Sequence, residues 1–346
     1  MKKTLMAATL TALSLPAIAL DKMPDPGWSG YLNLGVGTGS IESNFLARVS
    51  GIDVDLGDDT IQDFGSPDDE SITLPAANLN IGYTFSGGKT RVFLGNDLAD
   101  FLQFDRTTLL ALRHDFDSLG RFQVALLSSA FPATEVWADP YVRGEKRKDT
   151  ESGSTGARIT WDKIFGSQFE VKLSTREKDI DDENSGQWLV DRGEITSAEA
   201  KLLDREGDIM RADLGYMINI DNGTHLIRPS VAYIDRDLDG DAMAQDGYEV
   251  AVSYAYVTQN FRWVNNVLFQ SLEGDKENPI FGDVSDEWYA NAAGAINWGF
   301  PTISDYDIPE ILPTGICTYE HVVSNVPHDE IVQKSIEVRG LKVNVT

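Results

Sequence analysis

The sequence has a single cysteine, Cys317, so no intramolecular disulfide framework is available to it even in an oxidising compartment. It has only four histidines, which leaves little material for a His-based catalytic centre. Basic residues are scarce too: 29 Lys and Arg stand against 55 Asp and Glu, a formal net charge of −26. Such a balance argues against nucleic acid or an anionic membrane surface as a partner. Long apolar runs are also missing. Beyond residue 20 no stretch reaches the ~18 consecutive apolar residues of a membrane-spanning helix.

The first twenty residues, MKKTLMAATLTALSLPAIAL, are of a different kind. Lys2 and Lys3 form a basic start, an apolar stretch follows, and Ala17-Ile18-Ala19 has the small-x-small pattern of a cleavage site. Residues 1–19 are expected to be a signal peptide and the mature protein to begin at Leu20. An anchor helix is the alternative, but the stretch is short and Pro16 interrupts it. Removal of the two lysines leaves 27 basic against 55 acidic residues, a net of −28. About 325 mature residues suit either two soluble domains or one large all-β barrel.

What the sequence has in abundance is two-residue alternation. In NLNIGYTF (78–85) Leu79, Ile81, Tyr83 and Phe85 share one face and Asn78, Asn80, Gly82 and Thr84 the other. The pattern recurs in twelve segments: 28–39, 72–85, 90–96, 103–116, 121–129, 155–162, 167–176, 208–220, 225–234, 248–257, 261–270 and 288–300. Short connections such as SGGK (86–89), DSLG (117–120), KIFG (163–166) and DNGT (221–224) alternate with long ones that hold most of the acidic residues. Aromatic residues gather beside the short connections: Tyr83, Phe85, Phe116, Phe122, Trp161, Phe169, Tyr216, Tyr256, Phe261, Trp263, Trp298 and Phe300. Tyr233, Tyr248, Trp288 and Tyr289 fall near the opposite strand ends. These signals predict an all-β fold: a transmembrane antiparallel β-barrel of about twelve strands, or fourteen, spanning residues 20–300. Its short turns would be periplasmic, its long acidic loops extracellular, and the rings two interfacial girdles.

Two segments depart from the rhythm. ITSAEAKLLDREG (195–207) has Thr196 and Glu199 at capping-box spacing, which predicts a short helix in the fourth long loop, either outside the barrel or folded into it. The tail, 301–346, carries Pro309, Pro313 and Pro327 and alternates poorly, so it is read as an atypical C-terminal tail, non-native or periplasmic.

With YLNLGVGTG near its start and PSVAYIDRDLDGDAMAQDGYEV (229–250) around the fifth long loop, the chain resembles an uncharacterised outer-membrane protein family of marine γ-proteobacteria, a domain-of-unknown-function type. In architecture it is also similar to oligosaccharide-specific monomeric porins. The resemblance implies a bacterial outer-membrane location, lipid and lipopolysaccharide as surroundings, insertion by the barrel-assembly machinery, small solutes as cargo and a monomer. Barrels of this kind usually end on an aromatic residue; Phe300 suits that role and Thr346 does not.

If the aromatic-bearing face meets lipid, the other lines a lumen. Its basic candidates are Arg91, Arg113, Arg121, Arg158, Lys172, Arg211, Arg228 and Arg262; its acidic ones are Asp105, Glu170, Asp213 and Glu249. The excess of cations predicts a narrow porin-like channel for small polar or anionic solutes. Pairing of the same charges across strands would give instead a closed structural or interaction barrel. A barrel-embedded hydrolase is a third reading, with His114 and Asp115 as half of a triad, but no serine falls beside them, and the chain is not expected to be an enzyme. Gly35-Val-Gly-Thr-Gly39 lacks the helix and Lys-Ser/Thr pair of a nucleotide loop, and Asn222-Gly-Thr224 is a tight turn.

DRDLDGDAMAQD (235–246) sets Asp235, Asp237, Asp239, Asp241 and Asp246 close to the spacing of an EF-hand loop, with Gly240 at its turn. Both flanks alternate as strands, so the EF-hand itself is excluded. A weak Ca²⁺ site in an extracellular loop, or a plain solvated acidic loop, remains; no other cofactor is expected.

Overall fold

The structure is a computed structural model that describes residues 23–41, 43–48, 59–64, 70–97, 107–129, 133–258, 261–298, 311–316 and 340–345. In chain order its strands are β1 (Gly27–Ile41), β2 (Leu46–Arg48), β3 (Glu70–Thr84), β4 (Thr90–Asp97), β5 (Thr107–Asp115), β6 (Arg121–Ser129) and β7 (Thr134–Trp137). They continue with β8 (Asp149–Asp162), β9 (Phe169–Ile180), β10 (Gly207–Tyr216), β11 (Ile218–Ile220), β12 (His225–Leu238), β13 (Gln245–Val257) and β14 (Phe261–Gly274). The last are β15 (Glu277–Asn278), β16 (Asp283–Val284), β17 (Glu287–Trp298), β18 (Ile311–Ile316) and β19 (Gly340–Val345). No helix among the described residues is long and apolar enough to cross a membrane.

The long strands pair antiparallel in chain order: β1 with β3, then β4, β5, β6, β8, β9 and β10. The ladder goes on through β12, β13 and β14 to β17. Over their described residues, all twelve segments with two-residue alternation contribute strands to this one sheet. The expected strand at 208–220 is interrupted at Met217, between β10 and β11. In the tail, β18 pairs with β19, and β19 pairs with Leu32–Gly35 of β1. Phe300, Cys317 and the tail histidines His321 and His328 lie outside the described residues.

Several strands outrun the alternation at their long-loop ends. β8 starts at Asp149 and β9 runs to Ile180, with Ser152 opposite Ile180. Likewise β12 runs to Leu238 and β13 starts at Gln245. The fifth long loop is therefore six residues, Asp239–Ala244, and not 235–247. Alternation fades there because both faces are polar above the apolar band, while the backbone ladder needs no side-chain contrast to continue.

The short turns hold the chemistry their sequences demand. In DNGT, Asp221 and Asn222 take left-handed φ of 51° and 55° and Gly223 follows at 94°, a turn in which Asn and Gly carry the least strain.

The two sheet faces are inverted in polarity relative to a water-soluble protein. On β6, Val124 and Leu126 are 52% and 62% exposed, while Ala125 between them is 1% exposed. The same outward face carries Leu110 and Leu112 of β5, Leu214 of β10, Val250 and Val252 of β13 and Val267 of β14, all exposed. Arg91, Arg121 and Arg158, by contrast, are buried on the other face. That face is concave: Arg176 of β9 reaches Thr107 of β5, three strands away, with Nη2 2.7 Å from Oγ1. Three strand spacings are about 14 Å in a flat sheet.

Rings belt the outward face beside the short turns. Trp28 contacts Tyr83, which contacts Phe85. Phe116 meets Phe122, which stacks on Trp161, which meets Phe165. Phe169 pairs with Tyr216, and Tyr254 with Trp263. Eight residues from Tyr256, Tyr248 pairs with Tyr233 near the other strand ends. Eight residues of a strand tilted by ~40° rise about 20 Å, close to the ~25 Å apolar band of an outer-membrane barrel.

Candidate functional site

Register places the candidate charges on one face. Arg113 stands opposite Gln123, Gln123 opposite Thr160, Thr160 opposite Lys172, and Lys172 opposite Asp213. The row continues from Asp213 through Ala232 to Glu249. Arg91 faces Arg113 across β4 and β5. Arg121, Arg158, Glu170, Arg211 and Arg228 fall two or four residues from members of this row, hence on the same concave face. Arg262 shares that parity by register, opposite Val257, but its side chain is outside the described residues, as is all of Asp105.

The charges gather into three groups. Asp162 bridges two guanidinia, accepting from Arg113 Nη2 at 2.6 Å and from Arg121 Nε at 2.6 Å. Arg211 donates from Nη2 to Asp213 Oδ1 at 2.7 Å and to Glu249 Oε1 at 2.7 Å. Arg228 is ion-paired with Glu170 across β10. Arg158 donates to Ser174 Oγ at 3.4 Å, and Arg91 to Asn80 Oδ1 at 2.9 Å.

Glycine makes the cross-strand reach feasible. A Cβ at Gly215 would lie 2.7 Å from Arg228 Nη2, because the guanidinium crosses β10 over this residue to reach Glu170. Gly156 lies in the same way beneath Arg176, whose Cγ would be 3.0 Å from an added Cβ. Bare backbone is the only surface flat enough for a guanidinium to lie on and still reach the strand beyond.

Higher on the concave face the wall turns apolar: Phe93, Leu109, Ala111, Ala125 and Leu127 form a buried cluster. Beyond it the long loops meet in a second cluster of Phe45, Tyr141, Leu189 and Leu203, against which Phe64, Trp188, Ile195, Met243, Ile280 and Phe281 pack. These residues come from the β1–β3, β6–β8, β9–β10, β12–β13 and β14–β17 connections, so loops from around the sheet converge over its long-loop end. The expected helix is Ser197–Ala200, with Thr196 and Glu199 forming the capping box. A second, Gln187–Asp191, has its first amides held by a different loop: Asp139 accepts from Gly186 N at 3.1 Å and Trp188 N at 2.8 Å. Buried Arg205 pairs with Glu183 and donates to Trp137 O at 2.8 Å, tying the β9–β10 loop to the β6–β8 loop. Burial in this cap pushes the Tyr141 hydroxyl pKa up.

The aspartates of the fifth long loop are divided between the loop and the strands that flank it. Asp235 and Asp237 are part of β12, opposite Asp246 and Asp208 respectively. Asp241 is ion-paired with Lys276, Asp246 accepts from the Tyr233 hydroxyl at 3.2 Å, and Asp239 N donates to Glu206 O at 2.9 Å. Among the described residues no three metal-ligating side chains converge to hold an ion. Gly240 serves packing: an added Cβ would lie 2.4 Å from Asp204 N. The two central histidines face outward beside short turns, His114 with Thr90 at 2.7 Å and His225 with Tyr254 at 2.9 Å.

A family model matches residues 27–297, from the first strand of the ladder to the last residue but one of β17. The chain belongs to the family described as Protein of unknown function (DUF2860). No curated protein matches the sequence. Solved structures similar to it include a Pseudomonas aeruginosa FadL homologue, 11% identical over 99% of each chain with a TM-score of 0.45. The outer-membrane expressed OmpT of Vibrio cholerae is 7% identical over 94% of this chain and 99% of that one, with a TM-score of 0.36. The outer membrane channel DcaP of Acinetobacter baumannii is 9% identical over 92% and 96%, with a TM-score of 0.35.

In this DUF2860 chain, sequence reasoning passed over three concave-face residues: Asp162, Arg176 and Arg236, the last of which donates to Gln245 Oε1 at 2.9 Å. Asp162 closes β8 next to Trp161 and is concave by parity with Arg158, so the alternation itself carried that signal. Arg176 ends the alternating segment 167–176 on the parity of Lys172, so its face was legible too, whereas Arg236 stands beyond the alternation and only the longer β12 reveals its face.

Proposed function

We propose that the chain is a bacterial outer-membrane β-barrel whose concave face lines a narrow passage for small anionic or polar solutes. The observation that carries the membrane reading is the polarity inversion: among the described residues thirty large apolar side chains are exposed while arginines are buried. At about 1 kcal/mol gained for each half-exposed side chain moved into hydrocarbon, the lipid face is worth on the order of 30 kcal/mol. A soluble fold with a net stability of about 5–15 kcal/mol has no use for such a face. Closure into a barrel is supported by β18, which pairs with β19, itself paired to β1, and which lies beside β17 at the far end of the ladder. On this reading the ring belt beside the short turns is the periplasmic girdle, the Tyr233–Tyr248 pair belongs to the outer one, and the loop cap is extracellular.

The cap also favours a second reading, a closed barrel that serves envelope structure, because its apolar cluster draws five connections together. Quenching of Trp161 and Trp263 fluorescence by brominated acyl chains tests the membrane reading for protein refolded into vesicles. Strong quenching is expected; none would refute it. Conductance in planar bilayers separates the passage from the closed barrel.

A further inference from the structure

Two neighbouring short turns end in apolar side chains. The turn 117–120 displays Leu119, 48% exposed, and the turn 163–166 displays Phe165, 69% exposed. The turns 86–89 and 221–224, by contrast, read SGGK and DNGT. Phe165 is also held in an unfavourable backbone state. It takes φ 53° and ψ 33°, the left-handed conformation in which Asn222 of DNGT sits at 55° and 38°, each residue being followed by a glycine. A turn in water fills that position with Asn or Gly, because a bulky side chain strains it. Strain kept at one place to hold a ring outward points to a use for the ring.

The two turns are packed as one unit. Trp161 meets the Phe165 ring, its Nε1 donates to Leu119 O at 2.9 Å, and a Cβ on Gly120 would lie 2.5 Å from Lys163 O. Continuity with the outward face identifies what covers the tips. Phe122 stands opposite Trp161 and stacks on it, and one step along the same face Val124 stands opposite Ile159, both exposed. The apolar surface therefore runs from the strands through the rings onto Leu119 and Phe165 without a polar interval. Charge sets the depth: Asp117, at the start of the first turn, is exposed and ion-paired with Lys89 at 2.6 Å, a pair suited to the headgroup level.

We propose that the turns 117–120 and 163–166 form a membrane anchor, with Leu119 and Phe165 seated at the headgroup–acyl boundary of the leaflet on the short-turn side. Their occupant is phospholipid, and the β5–β9 sector sits deeper in the bilayer than the sector that ends in DNGT. The proposal rests on the membrane reading and adds to it where the bilayer ends.

The test uses the full chain refolded into phosphatidylcholine vesicles, with a nitroxide on one cysteine at a time in a Cys317→Ser background. The sites are Leu119→Cys, Phe165→Cys, Asn222→Cys and Leu126→Cys, and collision with oxygen is compared with collision with a water-soluble nickel chelate. Labels at 119 and 165 are expected to relax with oxygen, and the label at 222 with nickel. Nickel-dominated relaxation at 119 and 165, with oxygen-dominated relaxation at 126, would overturn the anchor and leave the membrane reading standing. Nickel-dominated relaxation at 126 would refute the membrane reading itself. Shielding of 119 and 165 from both reagents, with spin–spin broadening, would overturn phospholipid as the occupant in favour of a second copy of the chain. Unlabelled Phe165→Asn gives an independent sign. Asn relieves the left-handed strain and so raises the urea midpoint of a turn that lies in water, whereas removal of the anchoring ring is expected to lower it in the same vesicles. An unchanged or raised midpoint would overturn the anchor.

Discussion

The guanidinium of Arg228 lies over the backbone of Gly215, nearer than a methyl group there would permit, on its way to Glu170. The pair therefore depends on a residue that takes no part in it. Gly215→Ala is expected to leave the sheet folded, because the displaced atoms are the flexible end of a side chain, and to lower stability in urea by about 1–2 kcal/mol. Gly156→Ala is expected to cost more, about 3 kcal/mol, since its Cβ would sit 2.1 Å from Thr175 O, which cannot swing aside. Equal urea midpoints for the two variants would contradict this ordering.

Asp162 holds Arg113 and Arg121 together, and the side chains of both Arg121 and Asp162 are less than a tenth exposed. Asp162→Asn leaves two guanidinia facing a neutral amide and is expected to cost about 3 kcal/mol. It also adds positive charge to the wall, so the ratio of chloride to potassium permeability is expected to rise. An unchanged reversal potential in a salt gradient would show that Asp162 does not face the permeating ions.

The cap is held by a few cross-loop ties, of which Arg205–Glu183 is the most buried. Arg205→Ala leaves Glu183 buried without its cation and strips donors from Trp137 O and Ala138 O. Local opening is expected to become easier by about 3 kcal/mol, with the strands unaffected. Limited proteolysis reads this directly: cleavage within 138–148 and 181–206 is expected to speed up by about a hundredfold, and an unchanged rate would exclude the tie.

The capping box of the helix Ser197–Ala200 predicts a pH effect in the β9–β10 loop. The Thr196 amide and hydroxyl both donate to Glu199 Oε2, at 2.7 Å and 2.8 Å, and these bonds hold the Glu199 carboxyl below its ordinary range. A carboxylate depressed by folding stabilises the folded loop above its unfolded pKa, and that contribution fades as pH falls through the folded value. Hydrogen exchange at the Thr196 amide, compared after correction for the intrinsic rate, is expected to lose protection below about pH 4. Glu199→Gln, which keeps an acceptor but titrates nowhere near this range, is expected to abolish the pH dependence.

The strands were legible because a wall with one apolar and one polar face imprints a period of two on every crossing. Val124 and Arg121 announce their faces from sequence alone. The Thr196–Glu199 box was legible for a similar reason, being a local device. The extensions of β8, β9, β12 and β13 were not, since hydrogen-bonded register above the apolar band leaves no mark on composition. Nor was the loop cap: nothing local in Phe45, Tyr141, Leu203 or Phe281 says that these residues meet, and only the closeness of their strands brings them together. The aspartates of DRDLDGDAMAQD were placed in a wider loop than the one present. Their spacing matches that of a loop, yet Asp235 and Asp237 are strand residues, and Gly240 is small because Asp204 packs against it.

Single-channel recording in planar bilayers tests the central claim most directly, with wild-type protein set beside a variant in which residues 186–203 are replaced by a short Gly-Ser linker. The account predicts small steps carrying more anion than cation for the wild type, and larger steps with the same preference once the cap is removed. Silence from both proteins after verified insertion, or a preference for cations, would contradict it.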